Sequence, residues 1–211
     1  SAVSLGWKQL RHTFKEIRHL KVVGIFLLAY WFYIDGVDTI VKMAVDYGAT
    51  LKFPDSALIT ALLMVQFIAF PCALLFNLLS KKIGVKESVM AGIIGYGVIT
   101  FLAYFMSQMW HLYTLAGLVG LFQGGIQALS RSLYTRIIPK EKSAEFFGFY
   151  NMLGKFAAVI GPAMMGTITL MTGNIRYGII SIVLLFILGG YFLMKVNIEE
   201  GSRMAREYLS K

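Results

Sequence analysis

The chain has 211 residues, of which 57% are hydrophobic and 15% charged, with a formal net charge of +9. A water-soluble domain of this size carries about a quarter charged residues and lacks the core volume to hide so much apolar surface. The basic residues lie between apolar runs, which fits membrane topology rather than nucleic-acid binding.

The first element, residues 1–21, is expected to be a cytoplasmic amphipathic linker helix. Trp7, Leu10, Phe14, Ile17 and Leu20 recur at helical spacing, with Lys and Arg on the other face. That pattern suits a helix lying on a membrane surface, and also a partner-binding helix.

Residues 22–196 hold six runs long enough to span a bilayer, each near or above about 20 residues. They are Val22–Tyr47, Ser56–Leu79, Ser88–Met106, Leu112–Arg131, Phe146–Met171 and Tyr177–Met194. The runs do not alternate as barrel strands would. Sixteen of the 20 Lys and Arg fall in the first, third, fifth and seventh polar segments. The positive-inside rule then puts both termini in the cytoplasm. Residues 197–211 are expected to be a cytoplasmic tail. The chain begins with Ser and is expected to be a piece of a longer protein or a trimmed one.

The first span contains "YWFYIDGVDTIVK", in which Asp35, Asp38 and Lys42 interrupt an apolar run at spacings of three and four. A charge at the centre of a spanning helix costs about 2.5–3.5 kcal/mol on insertion scales, so each wants a partner or a wet cavity. Asp38 and Lys42, four apart, suit an ion pair or a cavity wall. Asp35 has no basic neighbour at helical spacing, and Gly36 is expected to let the helix break there.

Gln66 is a milder polar residue in span two. Span three, like span six, has no charge and is expected to face lipid. Span four carries Gln123, Gln127 and Arg131 at i, i+4 and i+8 beside several glycines. Its glutamines suit a cavity or interhelical bonds equally, and Arg131 is placed at the membrane edge. Span five carries Asn151 and Lys155, then Pro162.

Counted at about 1.5 Å per residue across a core of about 30 Å, Asp35, Lys155 and Gln123 come to similar depths. Asp35 and Lys155 are therefore expected to share a central cavity, where Asp35 either pairs with Lys155 or meets water and substrate and relays protons. Two aspartates on one helix, with no carboxylate opposite, do not make an aspartyl hydrolase. The reading is of a non-enzyme: there is no phosphate-binding lysine loop. The single Cys72 provides neither a disulfide nor a metal set, and no cofactor is called for.

The stretches "FLLAYWFYIDGVDTI" and "GLFQGGIQALSRSLYTRIIPKEKSAEFFGFYNMLGKFAAVIGP" resemble the major facilitator superfamily branch of autophagy-related vacuolar amino-acid effluxers and their bacterial relatives. The resemblance runs from about Trp7 to Met194. It implies an all-α membrane protein: six transmembrane helices as two inverted three-helix repeats, the C-terminal half of a twelve-helix transporter working by alternating access. It further implies a multi-pass protein, here of a bacterial inner membrane, whose partners are the bilayer, a second six-helix half, a small polar solute and protons. A non-transporting sensor or assembly module of the same fold is the alternative. The superfamily's cytoplasmic Gly-x-x-x-Asp-Arg motif departs here: Asn77, Lys81 and Lys82 replace its Gly, Asp and Arg, while Gly84 and Lys86 remain.

Overall fold

The computed structural model describes residues 2–209 and is helical throughout, with no strand among the described residues. The helices are α1 (Ala2–His19), α2 (Lys21–Thr50), α3 (Asp55–Ile83), α4 (Val85–Ala103), α5 (Met109–Ile137), α6 (Ser143–Ala157), α7 (Ile160–Thr172), α8 (Ile175–Ser181), α9 (Val183–Met194) and α10 (Ile198–Leu209). Six segments are long and apolar enough to cross a membrane: α2, α3, α4, α5, the α6–α7 pair and the α8–α9 pair.

Helix neighbours follow an inverted repeat. If spans one to three are exchanged with spans four to six, the α3–α5 packing maps onto α2 against α6–α7. The α2–α9 packing maps onto α4–α5, and the α4–α9 packing maps onto itself; all of these packings are present. The connections repeat as well. Gly84 (φ 103°) turns the chain from α3 into α4, and Gly173 (φ 68°) turns it from α7 towards α8. Both conformations disfavour any residue with a Cβ.

The repeat extends to side chains. Lys86, the second residue of α4, donates to the carbonyls of Met194 and Val196 at the end of α9 (2.9 and 2.6 Å). Arg176, the second residue of α8, donates to the carbonyls of Tyr104 and Met106 at the end of α4 (3.0 and 2.9 Å). The last carbonyls of a helix have no partner within it, and a cation there is also favoured by the helix dipole. The Lys86 that survives from the degraded cytoplasmic motif is thus a helix-end fastener.

Packing against lipid gains little from the hydrophobic effect, so close helix approach matters more. A Cβ at Gly120 would lie 3.0 Å from the Val65 carbonyl, and one at Gly124 would strike the Ala69 carbonyl. These two glycines let α3 and α5 meet backbone to backbone. Outward-facing Phe67, Phe70, Leu74 and Leu78 leave α3 apolar on its free side.

The apolar stripe of α1 divides between two roles. Ile17 and Leu20 are buried in the bundle, whereas Trp7 and Phe14 are 71% and 51% exposed, Phe14 with its ring 6.3 Å from that of Phe149 on α6. Thr13 and Glu16 are buried with Ile17. Residues 198–209, expected only as a tail, form α10, which packs on α5 and α2. Asn197 Oδ1 caps its start by accepting from Glu200 N (3.1 Å), and Ser202 donates to the Arg136 carbonyl (2.6 Å).

Glu16 ties this end of the bundle together. Its Oε1 accepts from Lys142, in the 3-10 turn Lys140–Lys142, and from the Tyr208 hydroxyl on α10 (2.7 Å). Burial pushes the Glu16 carboxyl up, but the hydrogen bonds from Lys142 and Tyr208 and the Lys142 charge outweigh it. The net result holds Glu16 below its usual range, and the Glu16 hydrogen bond holds Lys142 above its own.

Candidate functional site

The fifth span is broken. Pro162, the third residue of α7, has no N–H, and its ring would clash with the carbonyl four residues back, that of Ala158. The chain leaves helical geometry at Ala158 and Val159, between α6 and α7. Restarting a helix inside a membrane leaves its first N–H groups without partners, at a cost of several kcal/mol each in hydrocarbon.

Asp35 supplies the acceptors from another helix. Its Oδ2 accepts from Ile160 N at 3.0 Å and its Oδ1 from Gly161 N at 2.9 Å. Thr39, one turn on, donates to the same Oδ1 at 3.3 Å. The carboxylate also meets the positive end of the α7 dipole. Gly161 has to be glycine: its Cβ would lie 2.8 Å from Asp35 Oδ1 and would collide with Thr39. Asp35 is 0% exposed.

This arrangement corrects three expectations. Asp35 does not pair with Lys155 or share a cavity with it; it acts as an N-cap delivered in trans. The break lies at residues 158–159, not at Gly36. Helix α2 runs unbroken from Lys21 to Thr50, and a Cβ at Gly36 would sit 2.7 Å from the Phe186 ring, so Gly36 serves packing.

On the neighbouring face of α2 a cleft of about 780 Å³ opens between α2, α5 and α6. It is lined by Tyr30, Ile34, Asp38, Gln127, Ala128, Arg131, Tyr150, Asn151, Gly154 and Lys155. Of the eight residues singled out in the sequence, it brings together Asp38, Gln127, Asn151 and Lys155. Asp35, Lys42, Gln66 and Gln123 do not line it. Lys42 is exposed and makes no ion pair within 4.0 Å with Asp38. Gln66 is exposed, and Gln123 is half-buried with its Oε1 enclosed and unbonded.

Arg131 belongs to the cleft, although the sequence reading placed it at the membrane edge. Its Nη2 donates to Asn151 Oδ1 at 3.3 Å, and its guanidinium lies 5.9 Å from the Phe147 ring centre. Its spacing with Gln127 was the available signal, since residues four apart share a helix face. Tyr30 and Tyr150 were also missed; their rings stack at 4.2 Å and form an aromatic wall. Tyr134 continues the stack at 5.0 Å from Tyr150 and donates to the Phe146 carbonyl at 3.0 Å. Behind the cleft, Tyr33 and Ser130 hydrogen-bond at 2.6 Å, joining α2 to α5. The wall is thus fixed by aromatic packing, while Asp38, Arg131 and Lys155 project charge from three helices into one space.

Residues 1–206 match the model of a family described as vacuole effluxer Atg22 like. The chain is 38% identical over 96% of its length to an uncharacterized MFS-type transporter, YxiO, of Bacillus subtilis, covering 47% of that protein. It is 33% identical over 99% of its length to autophagy-related protein 22 of Yarrowia lipolytica, covering 37% of it. A Saccharomyces cerevisiae autophagy-related protein 22 is 30% identical over 97% of the chain, which covers 41% of that relative. The chain therefore spans about half the length, or less, of these relatives.

Proposed function

The chain belongs to the Atg22-like vacuole effluxer family, and from that premise we propose that it is half of a secondary active transporter for a small polar solute. The observation that carries this reading is the cleft of Asp38, Arg131 and Lys155, three charges from three helices with no ion pair among them. Unpaired charges at membrane depth are costly and persist where they meet water, ions or substrate. The solute is an amino acid or related metabolite, for which groups of both signs in one cleft are suited. The second half of the transporter closes the open side of the cleft, and alternation of the two halves exposes it to each side in turn. Both termini face the cytoplasm, because the basic segments gather at the end of the bundle that bears α1 and α10. The membrane is the inner (plasma) membrane of a bacterium, and the Bacillus relative supports the bacterial part of this reading.

Within this reading, Asp38 rather than Asp35 is the carboxylate free to exchange protons. The break at residues 158–159 gives α6, which carries Asn151 and Lys155, a pivot next to α7. Discontinuous helices are a recurrent device around transporter sites.

The test is flux. The full-length protein is reconstituted in vesicles and loaded with a mixture of labelled amino acids, and efflux is followed with and without a pH gradient. Efflux above protein-free vesicles that falls in Asp38→Asn and Lys155→Gln is the expected result. Folded, correctly inserted protein with no flux of any amino acid under either condition overturns the transport reading and leaves a non-transporting module.

A further inference from the structure

Arg131 presents an exposed guanidinium to the cleft. Among the described residues it makes no ion pair within 4.0 Å, and its contacts are with Asn151 and the Phe147 ring. An arginine has five N–H donors in a planar fork, and the bond to Asn151 uses one of them. That bond also orients the asparagine: with Oδ1 turned towards Arg131, the N–H₂ end of the Asn151 amide is left with both its donors to offer. Lys155 stands one turn further along α6 and can only donate. Counted at about 1.5 Å per residue from the end bearing α10, Arg131 lies about 9 Å deep, Asn151 about 12 Å and Lys155 about 18 Å. This part of the cleft is therefore a run of donors, two of them cationic, beside the apolar wall of Tyr30, Ile34 and Tyr150.

We infer that Arg131, held by Asn151 and Phe147, is the carboxylate-recognising group of this cleft, so that the solute it takes bears a carboxylate on a partly apolar body. The fork geometry of a guanidinium matches the two oxygens of a carboxylate, and its orientation is set before the solute arrives. Phosphate fits less well, because it would leave the aromatic wall unused. The inference rests on the cleft being a solute site, but the two can fail separately.

The experiment uses the full-length protein purified in detergent. Binding of the free L-amino acids is measured by thermal stabilisation and by equilibrium titration, each against its own carboxamide, with inorganic phosphate as a further probe. The carboxamide keeps the ammonium and the side chain and lacks only the anion, so this comparison needs no variant. At least one acid should bind and its carboxamide should bind about tenfold more weakly or not at all. Arg131→Lys should weaken the acid about tenfold while the protein stays folded by melting temperature and gel filtration, because an ammonium lacks the fork. Arg131→Gln should bring the acid down to the level of its carboxamide. Equal binding of acids and carboxamides, undiminished binding in the Arg131 variants, absence of binding by any acid, or Arg131-dependent binding of phosphate alone would each overturn the inference. Flux without carboxylate dependence would leave the transport reading standing and this one fallen. Carboxylate binding without flux would do the reverse.

Discussion

Asp35 and Asp38 sit one turn apart on the same helix and have opposite fates. Asp35 is sealed from solvent, and its carboxylate accepts from Ile160 N, Gly161 N and Thr39. Asp38 is half-buried, lines the cleft and has no ion pair. At 3.6 residues per turn, positions three apart differ by about 60° around the axis. That angle sends one side chain to the broken helix and the other to the open face. A carboxylate in an apolar span is therefore not one kind of feature: its role depends on which neighbour the angle selects.

The sharpest way to break the comparison is to truncate both residues. Asp35→Ala strands two buried N–H groups, at about 1–3 kcal/mol each. A large drop in thermal stability in detergent is expected, whereas Asp38→Ala should change stability by less than about 0.5 kcal/mol and act on flux. Equal losses of stability in the two variants would erase the distinction. Next in size is a rescue. Pro162→Ala restores an N–H that can reach the Ala158 carbonyl and removes the ring clash, so the break can heal. Asp35→Ala should therefore cost less in the Pro162→Ala background than alone, measured as a double-mutant cycle. Strict additivity would mean that the aspartate does not serve the break.

Glu16 extends the comparison to a carboxylate paired with a cation outside the membrane. Its folded-state pKa lies below its unfolded value, so its contribution to stability is complete above the ordinary glutamate pKa and fades as pH falls through the lowered one. Lys142 is raised, so its contribution holds below the ordinary lysine pKa and fades only as pH climbs through the raised one. Protection of the α1 amides, taken relative to the intrinsic exchange rate at each pH, should thus be high near neutrality and fall in acid, and Glu16→Gln should remove most of that acid dependence. An unchanged acid response would show that Glu16 does not hold α1. The smallest effect belongs to Gln66, which is exposed and outside the cleft: Gln66→Leu should leave stability within about 0.5 kcal/mol and flux near wild type. Loss of flux there would extend the solute path to α3.

Much of this was legible in the sequence. Apolar runs gave all six spans, because crossing a bilayer demands length and greasiness whatever the tertiary contacts. The pairing of Asp35 with Lys155 was the reading that failed, and for a definite reason. Depth along a helix follows from residue count, but azimuth depends on which helices are neighbours. Counting put the two at similar levels; packing put Asp35 against α7 and Lys155 in the cleft. Arg131 was misplaced in the same way: counting put it at the membrane edge, but its direction, into the cleft, could not be counted. The break itself had a local signal in Pro162, which removes a helix N–H, whereas the acceptor that makes a full break tolerable comes from more than a hundred residues away.

The paired fasteners Lys86 and Arg176 have a consequence for where such a protein can work. Each cation grips carbonyl oxygens, which have no proton to gain in any biological compartment. A membrane between a neutral and an acidic space exposes its two ends to different pH. The scaffold of α4 and the α8–α9 pair is closed at both ends by bonds from a cation to backbone carbonyls, with no carboxylate for acid to protonate, so acidity on either side cannot unlatch it. Glu16 confers no such immunity on α1. Acid therefore has purchase on the helix at the edge of the bundle and none on the frame behind it.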